Sequence, residues 1–145
     1  MEGLSEEPEA GFRELDHTAD WEIEVWAQEP KQLLVQAAEG MYQMCGVERN
    51  SEVKATERFE IAGEDDEALL VGFLSDLLYL LQTKHLAFDR FNFQCKESDP
   101  RVVLSVLAVG SPVASIEKEI KAVTWHNILV EDEEDRTTAR VTFDV

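Results

Sequence analysis

Basic residues are scarce in this chain: 13 lysines and arginines stand against 31 aspartates and glutamates, a formal charge of -18 over 145 residues. Bare contact with a phosphate backbone would be repulsive over most of such a surface, so direct RNA binding is not expected, and any polyanion would need a metal or a basic partner as intermediary. Long apolar runs are also missing. No stretch approaches the length that spans a bilayer, and the start, MEGLSEEPEAG, has neither the basic opening nor the apolar run of a secretory signal. A soluble, cytoplasmic protein with no membrane partner is expected. Cysteine is reduced to Cys45 and Cys95, which lack the close spacing of a redox or zinc motif and read as two ordinary buried thiols.

What is present suits one domain with a real core, since 44% of the residues are hydrophobic. An acidic tail over 1–11 precedes a single domain over 12–145. In WEIEVWA, Trp21, Ile23, Val25 and Ala27 alternate with Glu22, Glu24 and Trp26, the period of a half-buried strand. Pro30 suits a first helical position, and Leu33, Leu34, Ala37, Ala38, Met41, Met44 and Cys45 follow at three- and four-residue intervals until Gly46. Residues 52–61 read as a strand closed by Ala62 and Gly63. The acids of EDDE then open a second helix, whose stripe runs through Leu69, Leu70, Phe73, Leu74, Leu77, Leu78 and Leu81.

The second half reads as strands. LAFDRFNFQC and RVVLSVLAV flank the turn SDPR, and the near-continuous apolar run 102–109 predicts a strand covered on both faces. A loop, GSPVASIEKE, leads to a long strand through IKAVTWHNILV, an acidic turn EDEEDR and a closing strand TARVTFDV. The expected fold class is α+β: a single compact domain with two amphipathic helices packed on mostly antiparallel β-sheet of at least six strands.

The polar cluster in LDHTAD, with Asp16, His17 and Asp20, reads in either of two ways. Aspartates accept hydrogen bonds from backbone N–H groups where regular structure begins, and a single histidine serves structure more often than chemistry. The far end of the chain supports a second reading. Along ARVTFDV the apolar positions Ala139, Val141 and Phe143 alternate with Arg140, Thr142 and Asp144, so Asp144 points away from the core. If the first and last strands are neighbours, Asp144 meets Asp20. Two such carboxylates repel, and a hard oxygen-seeking cation relieves that, with an oxygen of Val145 in reach as a further ligand.

LDHTADWEIEVWA, the helix ending near MYQMCGV, FLSDLLYLL, EIKAVTWHNILV and the terminal FDV occur in the order found in the archease family, which the chain resembles over almost its whole length after the tail. The resemblance implies a compact domain of two helices on β-sheet. It also implies a function: an accessory protein, not an enzyme, that activates an RtcB-type RNA ligase in tRNA splicing and RNA repair. In that family picture the helper promotes attachment of GMP to the ligase and lets the ligase turn over repeatedly, by delivering or organising metal. Asp20 and Asp144 match the family's metal-binding aspartates, and Lys121 in KAVT matches its functionally important lysine. The expected cofactor is a divalent ion, calcium in the isolated protein, with magnesium or manganese as alternatives; a monomer is expected.

Lys121 beside a bound cation would neutralise leftover charge or hold a phosphate oxygen, and Asp16 and His17 would orient the ligands. The other reading of Lys121 is an ordinary strand-end lysine with its head in water. Two departures from the family pattern stand out: the loop before KAVT carries no histidine, and Asp76 occupies the FLSDLLYLL helix. Two rival functions remain: a divalent-metal-dependent hydrolase of phosphoesters with His17 as base, and a general acidic chaperone or adaptor for which the metal site is irrelevant.

Overall fold

The strand expected at WEIEVWA forms, and residues 11–15, which no local pattern marks as a strand, pair with it on its N-terminal side. The computed structural model describes residues 8–15 and 21–145. In chain order its elements are β1 (Gly11–Leu15), β2 (Trp21–Ala27), α1 (Pro30–Cys45), β3 (Glu48–Arg49), β4 (Ala55–Gly63), α2 (Asp66–Lys84), β5 (Leu86–Glu97), β6 (Val102–Ser115), β7 (Ala122–Asp132) and β8 (Thr137–Asp144).

Both helices begin and end where local chemistry dictates. Pro30, with its fixed φ and missing N–H, opens α1. Gly46 ends it in the left-handed region at φ 65, donating to Gln43 O while Val47 donates to Tyr42 O, so two otherwise orphaned carbonyls are satisfied. In α2 the Asp65 carboxylate accepts from the Ala68 N–H at 2.8 Å, and Asp66 and Glu67 occupy the first turn, where the helix dipole favours negative charge. Every member of the leucine and phenylalanine stripe of α2 is buried. No helix among the described residues is long and apolar enough to cross a membrane.

The strands form two antiparallel groups. One runs β1-β2-β8-β7; in the other β6 lies between β4 and β5, and β3 pairs with the far end of β6. α1 packs on β1 and β2, and α2 on β4 and β7, so the helices and the inner sheet faces enclose one core. Phe73 is fully buried there, with the rings of Phe91 and Phe93 edge-on at 5.2 and 5.5 Å and Phe59 stacked at 6.4 Å.

Several expectations are corrected. The loop expected from Gly110 is strand as far as Ser115, because β6 is paired in turn by β4, β5 and β3; no residue from Val102 to Val113 is exposed, as the apolar run predicted. Gly110 permits this, since a Cβ there would lie 2.5 Å from Phe88 Cα. The strand expected at 52–61 begins at Ala55 and includes Ala62 and Gly63. Cys45 is buried but Cys95 is exposed, because β5 runs out beyond the cover of the helices. Finally, Glu22 and Trp26 lie on the face of β2 away from the helices and are nonetheless buried, at 2% and 5% exposure. β1 and its approach cover that face: the Trp26 indole N–H donates to Pro8 O at 2.9 Å, and the Arg13 guanidinium sits 4.5 Å above its ring.

Candidate functional site

β2 and β8 pair antiparallel with Trp21 opposite Phe143, and β7 pairs with β8 with Ala122 opposite Asp144. The beginning of the domain therefore meets the end of the chain on one rung, with Phe143 fully buried between Trp21 and Val123. The alternation of β8 turns Asp144 outward, and it is exposed as expected. Lys121, one residue before β7, donates its backbone N–H to the Asp144 carbonyl at 2.7 Å and is also exposed. Val145 follows, 40% exposed.

The segment that delivers Lys121 is pinned to the ends of both helices. Glu117 and Lys118 donate backbone N–H groups to the Cys45 carbonyl at 2.9 and 3.0 Å, closing the end of α1. The Gln82 side-chain amide, near the end of α2, donates to the Ile120 carbonyl at 3.1 Å, and Ile120 is buried as an anchor. Both helices thus finish at the pole where β8 ends. Their carbonyl ends carry partial negative charge, which favours cations there.

The main chains of Asp144 and Lys121 are brought together. Asp16, His17 and Asp20 lie outside the described residues. On either side of them, Leu15 is paired with Glu22 and Trp21 with Phe143. Among the described residues no group of three or more histidine, cysteine, aspartate or glutamate side chains is placed to hold a metal. The described part of the candidate centre is therefore the Asp144 carboxylate with the oxygens of Val145. These are hard oxygen donors, the type that suits calcium, magnesium or manganese rather than zinc. Of the other histidines, His85 caps α2 in the left-handed region at φ 57, and His126 lies exposed on β7.

Three features at or near this pole escaped the sequence reading. The Lys118 ammonium sits 3.8 Å from the centre of the Trp21 ring, a cation–π contact that secures the first residue of β2. It joins residues far apart in the chain, and no local pattern announces it. Glu22 is buried, accepting from the Thr142 hydroxyl at 3.4 Å across β2 and β8, where alternation alone placed it in water. The β7–β8 register slips between Thr124 and Leu129, putting the 125–128 bulge opposite Val141, with Asn127 at φ 58 and Trp125 59% exposed.

The arrangement can hold an exposed oxygen ligand and a primary ammonium at the joined ends of a sheet, beside two helix C-termini. Comparison with known proteins shows where else it occurs. The profile of the Archease protein family matches residues 12–145. Curated archease proteins include one from Methanothermobacter thermautotrophicus, 29% identical over 138 residues covering 93% of this chain and 99% of that one. Another, from Archaeoglobus fulgidus, is 32% identical over 141 residues covering 92% and 98%. The solution structure of protein 1598 from Methanobacterium thermoautotrophicum superposes with a TM-score of 0.74 at 28% identity, covering 93% of this chain and 99% of that one. A Thermotoga maritima crystal structure, described as an archease and possible chaperone, shares the fold with a TM-score of 0.68 at 20% identity, covering 99% and 100%. With the match running from β1 through the joined chain ends to Val145, this chain belongs to the archease family.

Proposed function

We propose that this protein is a non-catalytic, metal-binding activator of an RtcB-type RNA ligase, promoting guanylylation of the ligase and its multiple turnover in tRNA splicing and RNA repair. The observation that supports this reading best is the Trp21–Phe143 rung. Asp20 precedes one member of that rung in sequence and Asp144 follows the other, which supports a cation shared between the two carboxylates. Asp20, Asp144 and an oxygen of Val145 would hold a divalent ion, calcium in the isolated protein and magnesium or manganese as alternatives. Bound there, the ion supplies positive charge for phosphate oxygens.

The protein's own groups have separate tasks. The Lys121 ammonium, tethered to Asp144 through its backbone, acts as a point charge toward a phosphate oxygen of the ligase's nucleotide. Asp16 and His17 orient the carboxylates. The charge of -18 draws the helper to the basic cleft in which a ligase holds RNA and keeps it off free RNA. The proposed setting is the cytoplasm.

Multiple-turnover ligation by the cognate ligase, with and without this protein and its Asp20→Ala, Lys121→Ala and Asp144→Ala variants, tests the reading. Stimulation lost in all three variants is the expected result. No stimulation by the wild type overturns it. Turnover of phosphoesters or cyclic phosphates without ligase favours a hydrolase. Helper activity that survives the three substitutions favours a general chaperone, in line with the description given for the Thermotoga protein.

A further inference from the structure

The chain has three tryptophans, and the fold occupies two of them. Trp26 is buried beneath Arg13, and Trp21 carries the Lys118 ammonium over its ring. Trp125 is 59% exposed, and among the described residues no cation or ring stacks against it. A tryptophan left in water forgoes the burial of a large apolar surface, so its exposure calls for an explanation. Leu129, further along β7, and Val145, just past the end of β8, are exposed as well. Tyr79 on α2 is also exposed, but its hydroxyl is at home in water.

Strand pairing produces this exposure. β7 is the last strand of its sheet, and its register against β8 slips so that residues 125–128 all stand opposite Val141. Such a bulge re-aims side chains from the faces that alternation would give them. Asn127 takes the left-handed conformation, which asparagine tolerates, and the His126 N–H donates to the Thr124 hydroxyl at 3.2 Å, giving the bulge a fixed shape. Trp125 stands roughly 10 Å along the strand from Ala122, the partner of Asp144. Asn127, Ile128 and Leu129 form one wall of a groove of about 700 Å³ on β2, β7 and β8. Its lining holds four glutamates, among them Glu24, Glu131 and Glu133, against two arginines, Arg136 and Arg140.

We infer that the Trp125 bulge and the acidic groove beside it are the surface by which the protein docks on its ligase, with Trp125 entering an apolar socket whose border carries lysines or arginines. The inference rests on the activator reading and names the docking surface for it. The charge pattern selects the occupant. A net acidic groove repels phosphate, whether of RNA or of a lipid surface, and attracts the basic border of the cleft in which a ligase holds RNA. A rigidly presented, exposed tryptophan is the side chain most suited to anchor a protein interface, and its ring face also attracts a neighbouring guanidinium or ammonium. Seated through Trp125, the protein would bring Asp144 and Lys121, on the adjoining rungs of the same sheet, up to the ligase's nucleotide.

Titration calorimetry of the cognate ligase with the full chain, paired with multiple-turnover ligation over a range of helper concentrations, provides the test. Trp125→Ala is expected to weaken binding roughly thirtyfold and Leu129→Ser roughly fivefold. Val53→Ala, exposed on the connection before β4, should change it less than about twofold. At saturating concentration Trp125→Ala should give the full stimulation of wild type, whereas Asp144→Ala should not at any concentration. Both docking variants change exposed side chains and should unfold within about 2 °C of wild type. Equal affinity of Trp125→Ala and wild type overturns the inference, as does a lowered maximum at unchanged affinity, and the activator reading survives either result. A wild-type protein that neither binds nor stimulates the ligase overturns the activator reading, and the inference falls with it.

Discussion

The backbone N–H of Lys121 donates to the carbonyl oxygen of Asp144 at 2.7 Å, carrying the β7–β8 ladder one step beyond the Ala122–Asp144 pair. The two residues are thus held together by main chain, with both side chains left in water. Replacing either side chain leaves the backbone bond in place.

For that reason Asp144→Ala and Lys121→Ala should be clean functional variants. Each is expected to reduce stimulation of multiple-turnover ligation about tenfold or more, within the range measured for groups that hold or support a metal. Their unfolding free energies should stay within about 0.5 kcal/mol of wild type, as for exposed positions generally. A large loss of stability in either would mean that lost activity reports misfolding.

The acidic surface gives the proposed association a salt dependence. Electrostatic steering between the helper and a basic cleft is screened over about 10 Å at 0.1 M salt. The association rate measured by stopped flow should fall steeply between low and high ionic strength while the dissociation rate changes less. Equal association rates at both would remove the electrostatic part of the account.

Phe73 anchors the contact between α2 and the sheet that carries Phe59, Phe91 and Phe93. Phe73→Ala removes a fully buried ring and leaves a cavity, at a cost of about 3–5 kcal/mol. Urea denaturation reads this directly, and a loss under about 1 kcal/mol would show that the core collapses around the gap.

Asp76 is held above its ordinary carboxyl value of 3.8 by burial. A raised carboxyl pKa means that the folded state binds the proton more tightly than the unfolded one. The charged group therefore destabilises the fold at neutral pH, and that cost disappears as pH falls through the folded pKa to below 3.8. Asp76→Asn should raise the unfolding midpoint at pH 7, with the advantage over wild type closing in acid. A pH-independent difference would assign the effect to packing.

The two thiols should differ in reactivity. Burial pushes Cys45 up to about 11, and its side chain is enclosed, whereas Cys95 is exposed on β5. Iodoacetamide at pH 8 is expected to modify Cys95 alone in the native protein and both after unfolding, as read by mass spectrometry.

Residues that announce their surroundings through near neighbours were legible from the chain itself. The stripe from Leu69 to Leu81, Pro30 and Gly46 at the ends of α1, and the alternation along 21–27 and 139–144 are short-range patterns. Periodicity and capping depend on groups within a few residues of one another, so they determined both helices, the strands β2 and β8 and the outward face of Asp144. Of the candidate centre, the exposed strand-end positions of Asp144 and Lys121 were legible.

The choice of partners for those strands belonged to the tertiary structure. Turn-like residues 110–115 became strand because three other strands were there to pair with them. Glu22 was buried because β8 supplied Thr142, and Trp26 because β1 and Arg13 closed over it. Lys118 found Trp21 across the molecule. A strand shows which of its faces is apolar, but its neighbours are settled by how all the elements share one core, a long-range competition without a local signature.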